Sequence, residues 1–157
     1  MILYHVSDRI DRVNEKTFIP KIPDSVPANG EDTVTPRICF APNIRKCVEA
    51  IGLATDMQEY ITVYHLDTDT IDTKYIVPPD ILQSKGLVYD AARNCEYWVL
   101  CPVVLKPKYF KITDAVWELE SDGVSQKLAV FDIEEVEYST INNPIAPALA
   151  AMLGIEQ

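Results

Sequence analysis

The sequence contains no Cys-x-x-Cys pair, no Gly-x-Gly-x-x-Gly, no phosphate-binding loop and no His-Glu-x-x-His. Each of those chemistries needs its residues at that spacing, so their absence removes thiol oxidoreductases, dinucleotide-fold dehydrogenases, P-loop NTPases and helical zinc hydrolases. The 2 histidines, His5 and His65, do not stand at metal-ligand spacing, so no metal is expected. Positive charge is scarce, with 14 Lys+Arg against 24 Asp+Glu and a net charge of −10. That balance disfavours nucleic acid and anionic lipid and suits a basic protein partner better. Apolar runs such as AVFDI and YWVLCPVVL stop far short of the roughly 20 residues that span a bilayer. The segment MILYHVSDRI lacks the basic and apolar regions of a signal peptide, and Cys39, Cys47, Cys95 and Cys101 show no framework spacing. The expectation is a reducing cytoplasm with unpaired thiols.

What is present suits one globular domain over residues 1–157, with 48% hydrophobic and 24% charged residues. ILYHVS predicts a first strand with His5 near its end, and RICFA a second. APNIRKCVEAIG predicts a helix capped by Asn43, with Ile44, Val48 and Ile51 at helical spacing and Gly52 at its end. EYITVYHLD is a third strand, and the Pro78-Pro79 pair opens a short helix. Pro102 marks an edge, bulge or turn. Asp122-Gly123, between alternating runs, is the chain's best hairpin signal. Pro20, Pro23, Pro27 and Pro36 make the segment between them a surface loop of the kind that borders binding sites. Residues 144–154 form an apolar terminal helix in this reading. The total is roughly six or seven strands with two or three helices, an α+β pattern without repeats.

Three segments in order resemble the ADP-ribosyltransferase superfamily, in its poly(ADP-ribose) polymerase-like branch with a His-Tyr-Glu motif. Leu3-Tyr4-His5-Val6-Ser7 is similar to that branch's first motif strand. Arg37-Ile38-Cys39-Phe40-Ala41-Pro42-Asn43, running on to Cys47, resembles its Gly-Ile-Tyr-Phe-Ala strand and the helix after it. Asn94-Cys95-Glu96-Tyr97-Trp98-Val99 is similar to the strand bearing the catalytic Glu, followed by Lys108-Tyr109. The resemblance implies a single-domain split mixed β-sheet with few helices. It implies NAD as substrate, a protein as acceptor, and mono-ADP-ribosyl transfer or NAD hydrolysis as the reaction. It makes Glu96 and His5 the catalytic pair and places His5, Val6, Ser7, Arg9, Arg37, Cys39, Phe40, Asn43 and Cys47 around the NAD. The motif Tyr is Cys39 here, so the aromatic stack on nicotinamide is missing or comes from elsewhere. Phe40 faces away from Cys39 on a regular strand.

The chemistry fits these residue types. Breaking the ribose–nicotinamide bond passes through an oxocarbenium-like state, which a nearby carboxylate stabilises, as in glycosidases. Glu96 is the candidate, and its plain alternative is a solvent-facing strand residue. His5 would position the ribose by hydrogen bonding; the alternative is a structural histidine, as His65 is read. Arg9, Arg12, Arg37 and Arg45, with the helix start at Asn43, are the candidate diphosphate donors, against ordinary surface arginines. A Cys39–His5 thiol pair is a further alternative, though buried apolar thiols are commoner. Two other readings remain: the same fold as a non-catalytic protein-binding module of phage or mobile-element type, and an RNA 2′-phosphotransferase, which the acidic balance opposes.

Overall fold

The computed structural model describes residues 1–24, 30–51, 59–124, 126–141, 152 and 154. The terminal helix expected at 144–154 lies almost wholly outside them, as does Gly52. No helix among the described residues is long and apolar enough to cross a membrane.

The first sheet runs β1 (Ile2–Ser7), β4 (Tyr60–Asp67), β8 (Pro107–Leu119) and β9 (Gln126–Val136) in that order. A second sheet runs β3 (Ile38–Phe40), β6 (Tyr97–Val99) and β5 (Ile76–Val77), and β2 (Lys16–Phe18) pairs with β7 (Val103–Leu105). The helices are α1 (Ile44–Ile51), α2 (Pro79–Ser84), α3 (Ala91–Asn94) and α4 (Tyr138–Ile141). The α+β class therefore stands.

The expectation of a mixed sheet is corrected, because every strand pairing among the described residues is antiparallel. The reason lies in one crossover. A β3–α1–β4 unit yields a parallel pair only if both strands enter the same sheet, but β4 joins β1 instead, placing His5 opposite Tyr64. One bridge, Tyr4 to Ala41, with N···O distances of 2.7 and 2.9 Å, ties β1 to the residue after β3. The two sheets thus meet where the first two motif segments touch.

Local chemistry explains the elements. Asn43 Oδ1 accepts from the Lys46 amide at 2.8 Å and caps α1 as its sequence position predicts. Pro79 sits at the first turn of α2, where its missing N–H costs nothing. Gly123, with φ +72°, turns the chain between β8 and β9, a backbone region that L side chains avoid. Val6, Val48, Cys47, Ile61, Val63, Ile112 and Phe131 pack between α1 and the first sheet. Leu3, Ile38, Phe40, Tyr64, Leu66 and Val99 fill the space between the sheets. A smaller cluster of Leu82, Val88, Ala91 and Trp98 secures α2 and α3 against β6.

Candidate functional site

A cleft of about 740 Å³ opens where β1, β3, α1 and the approach to β6 converge, with His5, Glu31, Cys39, Phe40, Lys46, Cys47, Glu49, Tyr89, Asp90 and Glu96 among its lining residues. His5 comes from β1 and Glu96 from the residue before β6, so the chain's first and third motif segments share one cavity.

His5 has a defined proton. Its Nδ1 lies 2.8 Å from the Cys39 carbonyl oxygen. A carbonyl only accepts, so Nδ1 carries the hydrogen and Nε2 presents a lone pair. Among the described residues Nε2 has no hydrogen-bond partner. Burial lowers the pKa of His5, partly offset by the Cys39 bond, which keeps the ring neutral to a lower pH than usual. The rings of Phe18 and Phe40, with centroids 5.0 and 5.7 Å away, pack against it.

Glu96 is set by a helix end and an indole. The four-residue α3 stops at Cys95, whose φ of 56° reverses the chain and delivers Glu96 immediately before β6 rather than within it. Glu96 and Trp98 stand two residues apart and so share a face. The Trp98 Nε1–H donates to Glu96 Oε1 at 2.7 Å. Trp98 is fully buried, which fixes the carboxylate from below. The Cys39 thiol is a second hydrogen-bond donor to the Glu96 carboxylate.

Arg37 is a structural residue, which corrects its expected place on a diphosphate. It is 2% exposed, and its guanidinium lies 4.0 Å from the centre of the Trp98 ring. Nη1 donates to the carbonyls of Asp32 and Thr35 at 2.8 and 3.1 Å, and Nη2 pairs with Glu31 Oε2 at 3.1 Å. Only Nε lacks a partner. A buried guanidinium must be neutralised and hydrogen-bonded, and this one is nearly saturated.

Other expected residues also fall outside the cleft walls. Val6 is core beneath α1. Ser7 Oγ accepts from the Arg9 amide at 3.2 Å, and Arg9 borders a separate, shallower cavity with Ile10, Glu59 and Tyr60. Asn43 spends its side chain on the α1 cap. Arg45 pairs with Asp132 at 3.4 Å and stacks on Phe131. Arg12 and His65 are exposed.

The cysteines that line the cleft are thiols rather than nucleophiles. Burial, reinforced by the Glu96 charge, pushes the Cys39 pKa up to about 12. Burial likewise pushes Cys47 to about 12, and its Sγ donates to the Tyr4 carbonyl at 3.1 Å. The thiolate is the reactive form, so the Cys39–His5 pair is set aside; His5 meets the residue's carbonyl instead. No group of His, Cys, Asp or Glu suited to a metal occurs among the described residues.

Sequence reasoning missed Glu31, Tyr89 and Asp90. Glu31 sits in the proline-rich loop already marked as a site border, alongside Pro23. Tyr89, 76% exposed, puts an aromatic face at the cleft where the Cys39 position supplies none. Neither lies in a periodic element, so no pattern announced them. No protein-family model, curated protein or solved structure matches the chain.

Proposed function

We propose that the cleft binds NAD and breaks its ribose–nicotinamide bond, passing the ADP-ribose to a protein side chain or to water. The observation that carries this reading is the shared cavity of His5, held at Nδ1 and open at Nε2, and Glu96, oriented by the Trp98 indole and the Cys39 thiol. The neutral His5 accepts a ribose hydroxyl at Nε2, and its backbone-fixed tautomer holds the sugar without proton transfer. The Glu96 carboxylate faces the anomeric carbon as positive charge develops there. The nicotinamide ring of NAD is itself cationic, so the acidic lining of Glu31, Asp90 and Glu96 suits that end of the molecule. Tyr89 offers it a stacking face. The diphosphate then belongs at the Lys46 side, beside the α1 start.

The test is nicotinamide release from NAD by the purified protein. Glu96→Gln keeps the shape and the Trp98 bond while removing the charge, and we expect a loss of about 10²–10³-fold in kcat with unchanged folding. A wild type no faster than this variant would end the enzymatic reading.

One observation favours a second reading. The same acids that suit a cation repel a diphosphate, and Lys46, the cleft's lining cation, is paired with Glu49 at 3.2 Å. A non-catalytic module that takes a basic group of a protein partner fits that balance. Calorimetry with NAD separates the two: saturable binding supports the first reading, and none at millimolar NAD supports the second.

A further inference from the structure

The reaction proposed above needs more than a stabilised cation, because the acceptor must lose a proton as it attacks. We propose that Glu31 is the second working carboxylate of the cleft, the base that takes this proton. The inference rests on the NAD reading and assigns a role that Glu96, occupied with the cation, leaves unfilled.

The geometry singles out Glu31 among the acids present. It lines the same cleft as Glu96 but comes from a different segment, the loop before β3. Arg37 ties the two together: its Nη2 holds Glu31 Oε2 at 3.1 Å, and its guanidinium stacks at 4.0 Å on Trp98, which donates to Glu96 at 2.7 Å. Glu31 therefore repeats the pattern seen at His5, with Oε2 held and Oε1 without a partner among the described residues. Glu49 is paired with Lys46 at 3.2 Å, and Asp90 makes no side-chain bond among the described residues.

The charged groups acting on Glu31 are Glu96, Asp90 and Arg37. Burial, then the Glu96 charge, raises its pKa, with Arg37 opposing. A carboxylate raised in this way is a stronger base. In the step itself the C1′–N bond of NAD breaks and nicotinamide leaves with the bonding pair. The acceptor oxygen or nitrogen gives a lone pair to C1′, and its proton passes to Glu31 Oε1. The sum is ADP-ribosylated acceptor, nicotinamide and one proton.

The experiment uses the full chain with NAD and water as acceptor, following nicotinamide release across pH for wild type, Glu31→Gln, Glu31→Asp, Asp32→Asn and Glu96→Gln. Glu31→Gln should lower kcat by about 10²–10⁴-fold, leave KM for NAD within a few-fold, and abolish the acid limb of the kcat profile. Asp32 pairs with the same Arg37 at 3.8 Å, so Asp32→Asn disturbs the anchor and should leave kcat and the limb intact. If Glu31→Gln does not fold, Glu31→Asp retains the titrating group one methylene short, and should keep the limb at reduced kcat. An active wild type with Glu31→Gln or Glu31→Asp matching its kcat overturns the Glu31 role alone. A wild type no faster than Glu96→Gln overturns the NAD reading and this inference with it.

Discussion

Two polar clusters flank His5, one a continuous hydrogen-bond network and the other lining the cleft. On one side Asp11 is bonded through its carboxylate, carbonyl and amide: its Oδ2 accepts from the Tyr64 hydroxyl at 2.6 Å and pairs with Lys16 at 3.2 Å, leaving Oδ1 without a partner among the described residues. Its carbonyl accepts from the Tyr109 hydroxyl at 2.6 Å, and its amide donates to Thr62 Oγ1 at 3.0 Å. The Thr62 hydroxyl in turn donates to the Arg9 carbonyl at 2.7 Å. The other side is the cleft, where His5 Nε2 and Glu31 Oε1 are without partners among the described residues. Both clusters mix acids, bases and aromatics, so residue type does not separate them. A satisfied network rigidifies and specifies the fold, while open atoms around a cavity are available to something else.

Three substitutions sharpen that contrast beyond the kinetic tests above. The largest stability effect is expected at Arg37, whose guanidinium is committed to structure through all but its Nε. Arg37→Ala should cost about 3 kcal/mol in chemical denaturation, since it leaves Glu31 and Asp32 without their counter-charge and removes the face on which Trp98 stacks. A cost below about 1 kcal/mol would show that the guanidinium is not the keystone described here. Next, Tyr64→Phe breaks the network at Asp11 and should cost about 1–2 kcal/mol, whereas Glu96→Gln should cost under about 0.5 kcal/mol. Equal costs at the two positions would erase the distinction between the two clusters.

The smallest effect is a pH slope. The folded pKa of His5 lies below its ordinary value of 6.5 because of burial. Between those two values the unfolded chain binds the extra proton, so stability should fall as pH drops through 6.5 toward the folded pKa and should be full above it. His5→Asn should flatten that slope in urea melts taken from pH 7.5 to 5. A slope unchanged in the variant would assign the titration elsewhere.

The sequence made some of this legible and hid the rest for identifiable reasons. β1, β3, α1, β4 and the β8–β9 hairpin were readable because their signals are local: alternation, an Asn cap, an Asp-Gly turn. The pairing of β4 with β1 rather than with β3 was not, since no local pattern encodes which sheet a strand enters. His5 and Glu96 were found as positions, yet Glu96 proved to stand before its strand, displaced by the positive φ of Cys95. Arg37 was misread because a guanidinium's direction depends on partners, here Glu31, Asp32 and Trp98, that come from a loop and a distant strand. Glu31 itself lies in a loop without period, and only its closure over Arg37 brings it to the cleft.

The bond that fixes the His5 ring comes from the main chain of residue 39, not from its side chain. Substitution at 39 therefore cannot change the tautomer at 5 so long as β3 keeps its register with β6. A lineage is free to place a thiol, an aromatic ring or a small apolar group there and re-tool the neighbouring wall of the cleft for a different ligand shape. The ring's hydrogen bond is set through the backbone, and the side chain at 39 can change without removing it.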